Sequence, residues 1–153
     1  MGRFQETLRA ELAINGGNAR LLCDFTYEDH RCGTISVPAG FETDFASVKP
    51  LRTIAWGLLA LSLSAGLFWP EVGAGIGSAG YGALALYASV VGYGDAAATV
   101  HDWLYSTGQL SRKESDQVFH SALCASGVAR WRAWMMWAGV RIGGHWRYRR
   151  MER

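Results

Sequence analysis

The 153-residue chain lacks several features that would have fixed its class at once. Its opening, "MGRFQETLRAELAINGG", has no apolar h-region, so no secretory signal peptide is expected there. Cysteine is scarce and odd in number: Cys23, Cys32 and Cys124, none in a C-x-x-C spacing, which points to a reduced, cytoplasmic-side setting. Gly2 does not make a myristoylation site, because the sixth residue is Glu6 where Ser or Thr is required. The last 26 residues are almost without acid: Glu152 stands alone against Arg130, Arg132, Arg141, Arg147, Arg149, Arg150 and Arg153. The length suits one domain with a real core and is too short for two independent enzymes.

The largest absence is of charge in the middle. Between Arg52 and Asp95 the only charged residue is Glu71, leaving uncharged runs of 18 residues (Thr53 to Pro70) and 23 residues (Val72 to Gly94). As helices these would reach about 27 and 34 Å, against a hydrocarbon core of about 30 Å. Pro70-Glu71 reads as the turn of a helical hairpin, with Trp56 and Trp69 near the ends of the first run, where aromatic rings favour a membrane interface. The seven glycines of the second run suit close helix contact in lipid better than a helix in water. The expectation is a transmembrane hairpin over 53–94, with Lys49, Arg52 and the basic tail on the cytoplasmic side. The other reading is a buried hairpin or a Gly-rich loop.

What flanks that insert would form one head domain, 1–50 with 95–153. In "ARLLCDFTY", Leu21, Cys23, Phe25 and Tyr27 alternate onto one face; "EDHRCG" has turn chemistry and "TISV" returns, so a β-hairpin is expected. "PAGFETDFASV" reads as an irregular loop. A helix is expected from Asp95 to about Ser106, then a turn at Thr107-Gly108, then a second helix opened by a Ser111/Glu114 capping box. The fold class is α+β: a small β-hairpin layer on antiparallel helices, with an inserted apolar helical hairpin.

The run "TVHDWLYSTGQLSRKESDQVF" concentrates the chemistry. His101 and Asp116 lie about equally far from the turn, so in an antiparallel pair they face one another. His101 and Tyr105 are i, i+4, as are Asp116 and His120, and share the inner faces. Asp102 sits about 100° round the helix from His101 and would point toward the loop bearing Asp44. An imidazole oriented by a buried carboxylate can act as a general base on water, and Asp102 with Asp44 and loop carbonyls would make an oxygen site suited to Ca²⁺. A Zn²⁺ site through His101, Asp116 and His120 is a further reading. Against both stands a hydrogen-bonded cluster that only locks elements together. On the basic tail segment, Trp131, Trp134 and Trp137 are interleaved with Arg130, Arg132 and Arg141, which fits a core helix or an interfacial helix on anionic lipid. Single-stranded nucleic acid is the least favoured partner, because no recognisable nucleic-acid fold accompanies the segment.

"PAGFETDFASV" followed by "AAATVHDWLYSTGQLSRKESDQVF" resembles domain-of-unknown-function family 1353 of phages and prophages, whose pattern is a GF-TDFASVP loop, then A-A-x-x-H-D-x-L-Y, then R-x-x-A/S-D-x-x-F. Lys49-Pro50 departs from the Pro that usually follows the Val, and the apolar stretch is longer than the connector expected. The resemblance implies a bacteriophage origin and no particular activity. Locally, H-D-x-x-Y answered by an Asp on an antiparallel helix is also similar to the core of the secreted phospholipase A2 enzymes. That similarity implies His101 as base, Asp116 as its orienter, Tyr105 as hydrogen-bonding support and Asp102 as a calcium ligand, with Asp44 a looser match. The disulfides of those enzymes and the Gly-rich calcium loop of their animal members are missing. The expectation drawn from all this is a phage-encoded, membrane-associated hydrolase of phospholipase type acting on membrane lipid, at the host inner membrane with its head cytoplasmic or associated with the virion. The alternative is a non-enzymatic virion or lysis-accessory component that partners other phage structural proteins.

Overall fold

The structure is a computed structural model and describes residues 2–12, 18–43, 49–90 and 92–143. The elements in chain order are β1 (Arg3–Phe4), β2 (Ala10–Leu12), β3 (Ala19–Leu21), β4 (Phe25–Asp29), β5 (Gly33–Val37), β6 (Glu42–Thr43), α1 (Lys49–Gly66), α2 (Pro70–Val90), α3 (Asp95–Thr107), α4 (Arg112–Ala125) and α5 (Arg130–Gly143). The fold is α+β. Two compact units emerge, Met1–Ser47 with Gly92–Arg153, and Val48–Val91.

In the first unit the strands form two antiparallel sheets of three, ordered β1-β4-β5 and β2-β3-β6. The alternating segment expected as one strand is thus divided: Ala19–Leu21 pairs in one sheet and Phe25–Asp29 in the other. The break at 22–24 has a local cause, since the Asp24 carboxylate accepts the Ala39 N–H (2.8 Å) and Leu21 exchanges backbone hydrogen bonds with the turn at Gly40 and Phe41. Gly40 holds φ +83°, which an L side chain adopts only with strain. β4 and β5 pair Phe25 with Val37 and Tyr27 with Ile35, all four buried, so the pleat delivers one apolar face to the helices. Phe4 of the edge strand stacks on Phe25 (centroids 5.3 Å) and tilts on Tyr27 (4.7 Å).

The helices of this unit follow from local signals. Gly94 precedes α3 with φ +81°, and a Cβ there would come within 2.3 Å of Leu123 Cδ2, so only glycine lets the chain enter α3 this close to α4. Gly108, at φ +63°, ends α3 and its N–H bonds the Leu104 carbonyl. The capping box opens α4: the Ser111 hydroxyl accepts from Glu114 N–H, and Ser111 N–H donates to the Glu114 carboxylate at 3.0 Å. Val100 and Leu104 of α3, Val118, Phe119 and Leu123 of α4, and Ala133, Met136 and Val140 of α5 complete the core. The 133, 136, 140 spacing makes α5 a core helix, while Trp131 and Trp134 stay exposed.

The second unit is a helical hairpin, α1 against α2. Its glycines have a specific task. A Cβ on Gly73 would meet Gly66 Cα at 2.5 Å, one on Gly77 would meet Ser62 Oγ at 2.7 Å, and one on Gly80 would meet Leu59 at 3.0 Å. This i, i+4, i+7 stripe lets the helices approach closely, and Ser62 Oγ donates to the Gly73 carbonyl at 2.8 Å. The transmembrane hairpin is nevertheless overturned: no described helix is long and apolar enough to cross a membrane. In α1 the uncharged part runs only from Thr53 to Gly66, about 21 Å against about 30 Å of hydrocarbon. α2 has the length, but its residues include Glu71, Ser78, Tyr81 and five glycines, which are mostly uncharged without being strongly apolar. The location in the host inner membrane with a cytoplasmic head, and the orientation drawn from Lys49 and Arg52, fall with the spanning hairpin.

Candidate functional site

His101 and Tyr105, one helical turn apart on α3, reach the same oxygen of Asp116 on α4. His101 Nε2 lies 3.1 Å from Asp116 Oδ1, and the Tyr105 hydroxyl donates to it at 2.5 Å. Equal spacing from the turn at Gly108 produces this meeting, because antiparallel helices joined by a short turn place equidistant residues opposite one another. Asp116 is fully buried and His101 is 4% exposed, with the imidazole tilted between the rings of Tyr105 (4.1 Å) and Phe119 (4.8 Å).

The other oxygen of Asp116 belongs to α5. Arg141 Nη1 donates to Oδ2 at 2.9 Å, and Arg112 Nε, one turn before Asp116, stands 4.0 Å from it. Arg112 also donates to the carbonyls of Val140 and Arg141, tying the end of α5 to the start of α4. One carboxylate therefore joins three helices. Burial works against its charged form, but hydrogen bonds from His101, Tyr105 and Arg141 outweigh burial and hold the Asp116 carboxyl below the usual carboxylate range. For Tyr105 burial comes first and the bond to Asp116 second, and both push the phenol well above its ordinary value. Since an ionised carboxylate only accepts, the proton between His101 and Asp116 sits on Nε2, and Nδ1 is the basic nitrogen of the neutral ring. His101 Nδ1 makes no hydrogen bond among the described residues.

Asp102 turns away from this cluster, as the helical rotation requires, and its Oδ2 accepts the Thr43 hydroxyl at 2.6 Å. Beside it Trp103 meets Phe41 edge-on, centroids 5.2 Å apart. The two sequence motifs thus touch at two points. Asp44 lies outside the described residues. Among the described residues no group of three or more His, Cys, Asp or Glu side chains is placed to hold a metal ion, so His101, Asp116 and His120 do not form the zinc set. Ca²⁺ takes six to eight oxygen ligands, and Asp102 supplies one carboxylate that already accepts a hydrogen bond. The described residues do not by themselves make a calcium site. His120 faces elsewhere: its ring stands edge-on to Trp137 (6.4 Å) and lines a cleft of about 410 Å³ with Asp29, His30, Cys32 and Trp134. A second hollow, of about 510 Å³, is bounded by Arg3, Glu28, Asp29 and Thr34. Neither is lined by His101, Asp102, Tyr105 or Asp116.

Arg141 is the site residue that lies outside both motifs, whereas Arg112 is the Arg of R-x-x-A/S-D-x-x-F, whose place beside Asp116 only the structure shows. The signal for Arg141 was indirect: a fully buried acid requires a counter-charge, and Arg141 follows the core position Val140. A family model described as "Protein of unknown function (DUF1353)" matches residues 19–65 and 83–140, which is most of the chain. The interruption, 66–82, falls at the tip of the α1/α2 hairpin. No curated protein and no solved structure matches.

Proposed function

We propose that this chain, which belongs to the DUF1353 family, is an ester hydrolase of phospholipase type with His101 as general base. The observation that carries the reading is the pairing of His101 Nε2 with a buried, ionised Asp116 that Tyr105 also holds, leaving Nδ1 to take a proton. In the reaction a water oxygen attacks the acyl carbonyl carbon while its proton passes to Nδ1. The carboxylate of Asp116 stabilises the imidazolium that forms. Collapse of the tetrahedral intermediate breaks the acyl C–O bond, and the proton on Nδ1 moves to the departing alcohol oxygen, giving a carboxylic acid and an alcohol. With so little of the ring exposed, a substrate reaches it only when the residues covering it part.

The test is fatty-acid release from phosphatidylglycerol vesicles, with and without added calcium. His101→Ala should lower release by about 100-fold or more, the span expected for losing a general base, while near-UV circular dichroism stays unchanged. Release by the wild type that survives in the variant, or no release by either, refutes the hydrolase.

A second reading is favoured by a different observation. Asp116 is wholly buried and spends both oxygens on groups from three helices, the arrangement of a structural lock in a non-enzymatic virion or lysis-accessory component. Absence of release by the wild type supports that lock.

A further inference from the structure

The cleft between the β4–β5 turn and helices α4 and α5 stands apart from the His101 cluster, and its lining has chemistry of its own. Asp29, 6% exposed, ends β4 and lines it. Its Oδ1 accepts the backbone N–H of Arg31 (2.9 Å) and of Cys32 (3.1 Å), an Asx turn that fixes the carboxylate. Among the described residues its Oδ2 is buried without a hydrogen-bond partner. A buried carboxylate oxygen left without a donor is costly, so this oxygen has room for a donor that the described residues do not supply. Trp134 and Trp137 line the same cleft, and Glu114 adds a second carboxylate. The local field is negative: besides burial, the Asp29 and Glu114 carboxylates hold the Cys32 thiol above its ordinary value, against a smaller opposing effect of Arg31. Arg31 also lines the cleft and is held by Gln117, another lining residue, its Nη1 donating to Oε1 at 3.4 Å.

From this placement we infer that the cleft binds a small organic cation bearing N–H donors, an amine or a guanidine, whose N–H meets Asp29 and whose charge rests on the tryptophan faces. Aromatic faces attract cations through the ring quadrupole, and a charge-assisted hydrogen bond gives the carboxylate its donor. His30, half-exposed with Nδ1 3.9 Å from Asp29 Oδ1, also lines the cleft.

The test uses the full chain and agmatine, which carries an ammonium and a guanidinium, followed by the indole N–H resonances of Trp134 and Trp137. Saturable shifts at millimolar agmatine are expected, with weaker binding of tetramethylammonium, which has no N–H. Asp29→Asn keeps the Oδ1 acceptor of the turn and should weaken agmatine by about tenfold or more, the usual loss for a charge-assisted hydrogen bond. Should that variant unfold, Glu114→Gln and Trp137→Leu take its place, each expected to weaken binding severalfold. No saturable shift, unchanged affinity in the folded variants, or saturable binding of inorganic phosphate in place of agmatine would each overturn the assignment.

Discussion

At the scale of the residue, Asp116 decides most. Its depressed acidity has a definite sign for stability. A carboxyl whose folded value lies below its unfolded value, about 3.9, contributes stability that is present above that value and is lost as pH falls through the folded one. Arg141→Gln removes one of the hydrogen bonds that depress it, so acid unfolding should begin at higher pH than in the wild type, measured by circular dichroism between pH 6 and 2. Asp116→Ala should go further and cost about 3–5 kcal/mol in urea unfolding, because it leaves Arg141, Tyr105 and the His101 N–H without their acceptor. A loss below about 1 kcal/mol would mean that solvent replaces the carboxylate freely. Residue spacing made His101, Tyr105 and Asp116 legible, since helical period and distance from a turn are sequence properties. Arg141 was not legible in that way: it comes from a third helix, and its neighbours Trp134 and Trp137 fit either a core helix or an interfacial one.

At the scale of the element, the hairpin shows where reading by charge alone misleads. Uncharged length is not apolar length, and glycines that suit helix packing in lipid suit any close helix pair. They do serve close packing, at Gly73, Gly77 and Gly80, but in a helix pair with no described span that can cross a bilayer. Gly73→Leu therefore has no room: its Cβ would stand 2.5 Å from Gly66 Cα, backbone that no rotamer can clear. The hairpin should open, visible as lost hydrogen-exchange protection in 53–66 and 72–88, while the amides of α3 and α4 keep theirs. Protection unchanged in both helices would contradict the tight crossing. By contrast the start of α4 was legible to the residue, because a capping box is written in four consecutive positions. The strand break at Leu22–Asp24 was hidden, since apolar alternation continues through it while Asp24 turns to the Ala39 N–H.

At the scale of the whole molecule, the chain leaves one unit at Ser47, builds the hairpin, and re-enters the first unit at Gly92. Phe25, Tyr27, Phe119 and Met136 are buried residues of the first unit, which comprises 1–47 and 92–153. Replacing 49–90 by a flexible Gly/Ser linker should leave that unit folded, with the downfield amide and aromatic resonances of α3 and α4 unchanged in a heteronuclear spectrum. Collapse of the spectrum would show that the hairpin is needed for the head to fold. Fold class was legible at this scale because runs of strand pattern and then of helix pattern succeed each other along the chain. The division of strands between two sheets was not, because pairing partners are chosen by tertiary register.

The bond from Arg141 to Asp116 spans 25 positions of chain, whereas His101, Tyr105 and Asp116 are all synthesised before α5 begins. A polypeptide emerging from the ribosome, or one truncated after Ala125, thus carries the complete motif yet lacks one of the three hydrogen-bond donors that hold its acid below the usual carboxylate range. Closure of the cluster from its third side waits for α5, so a chain stopped short of that helix leaves Asp116 Oδ2 without the Arg141 guanidinium.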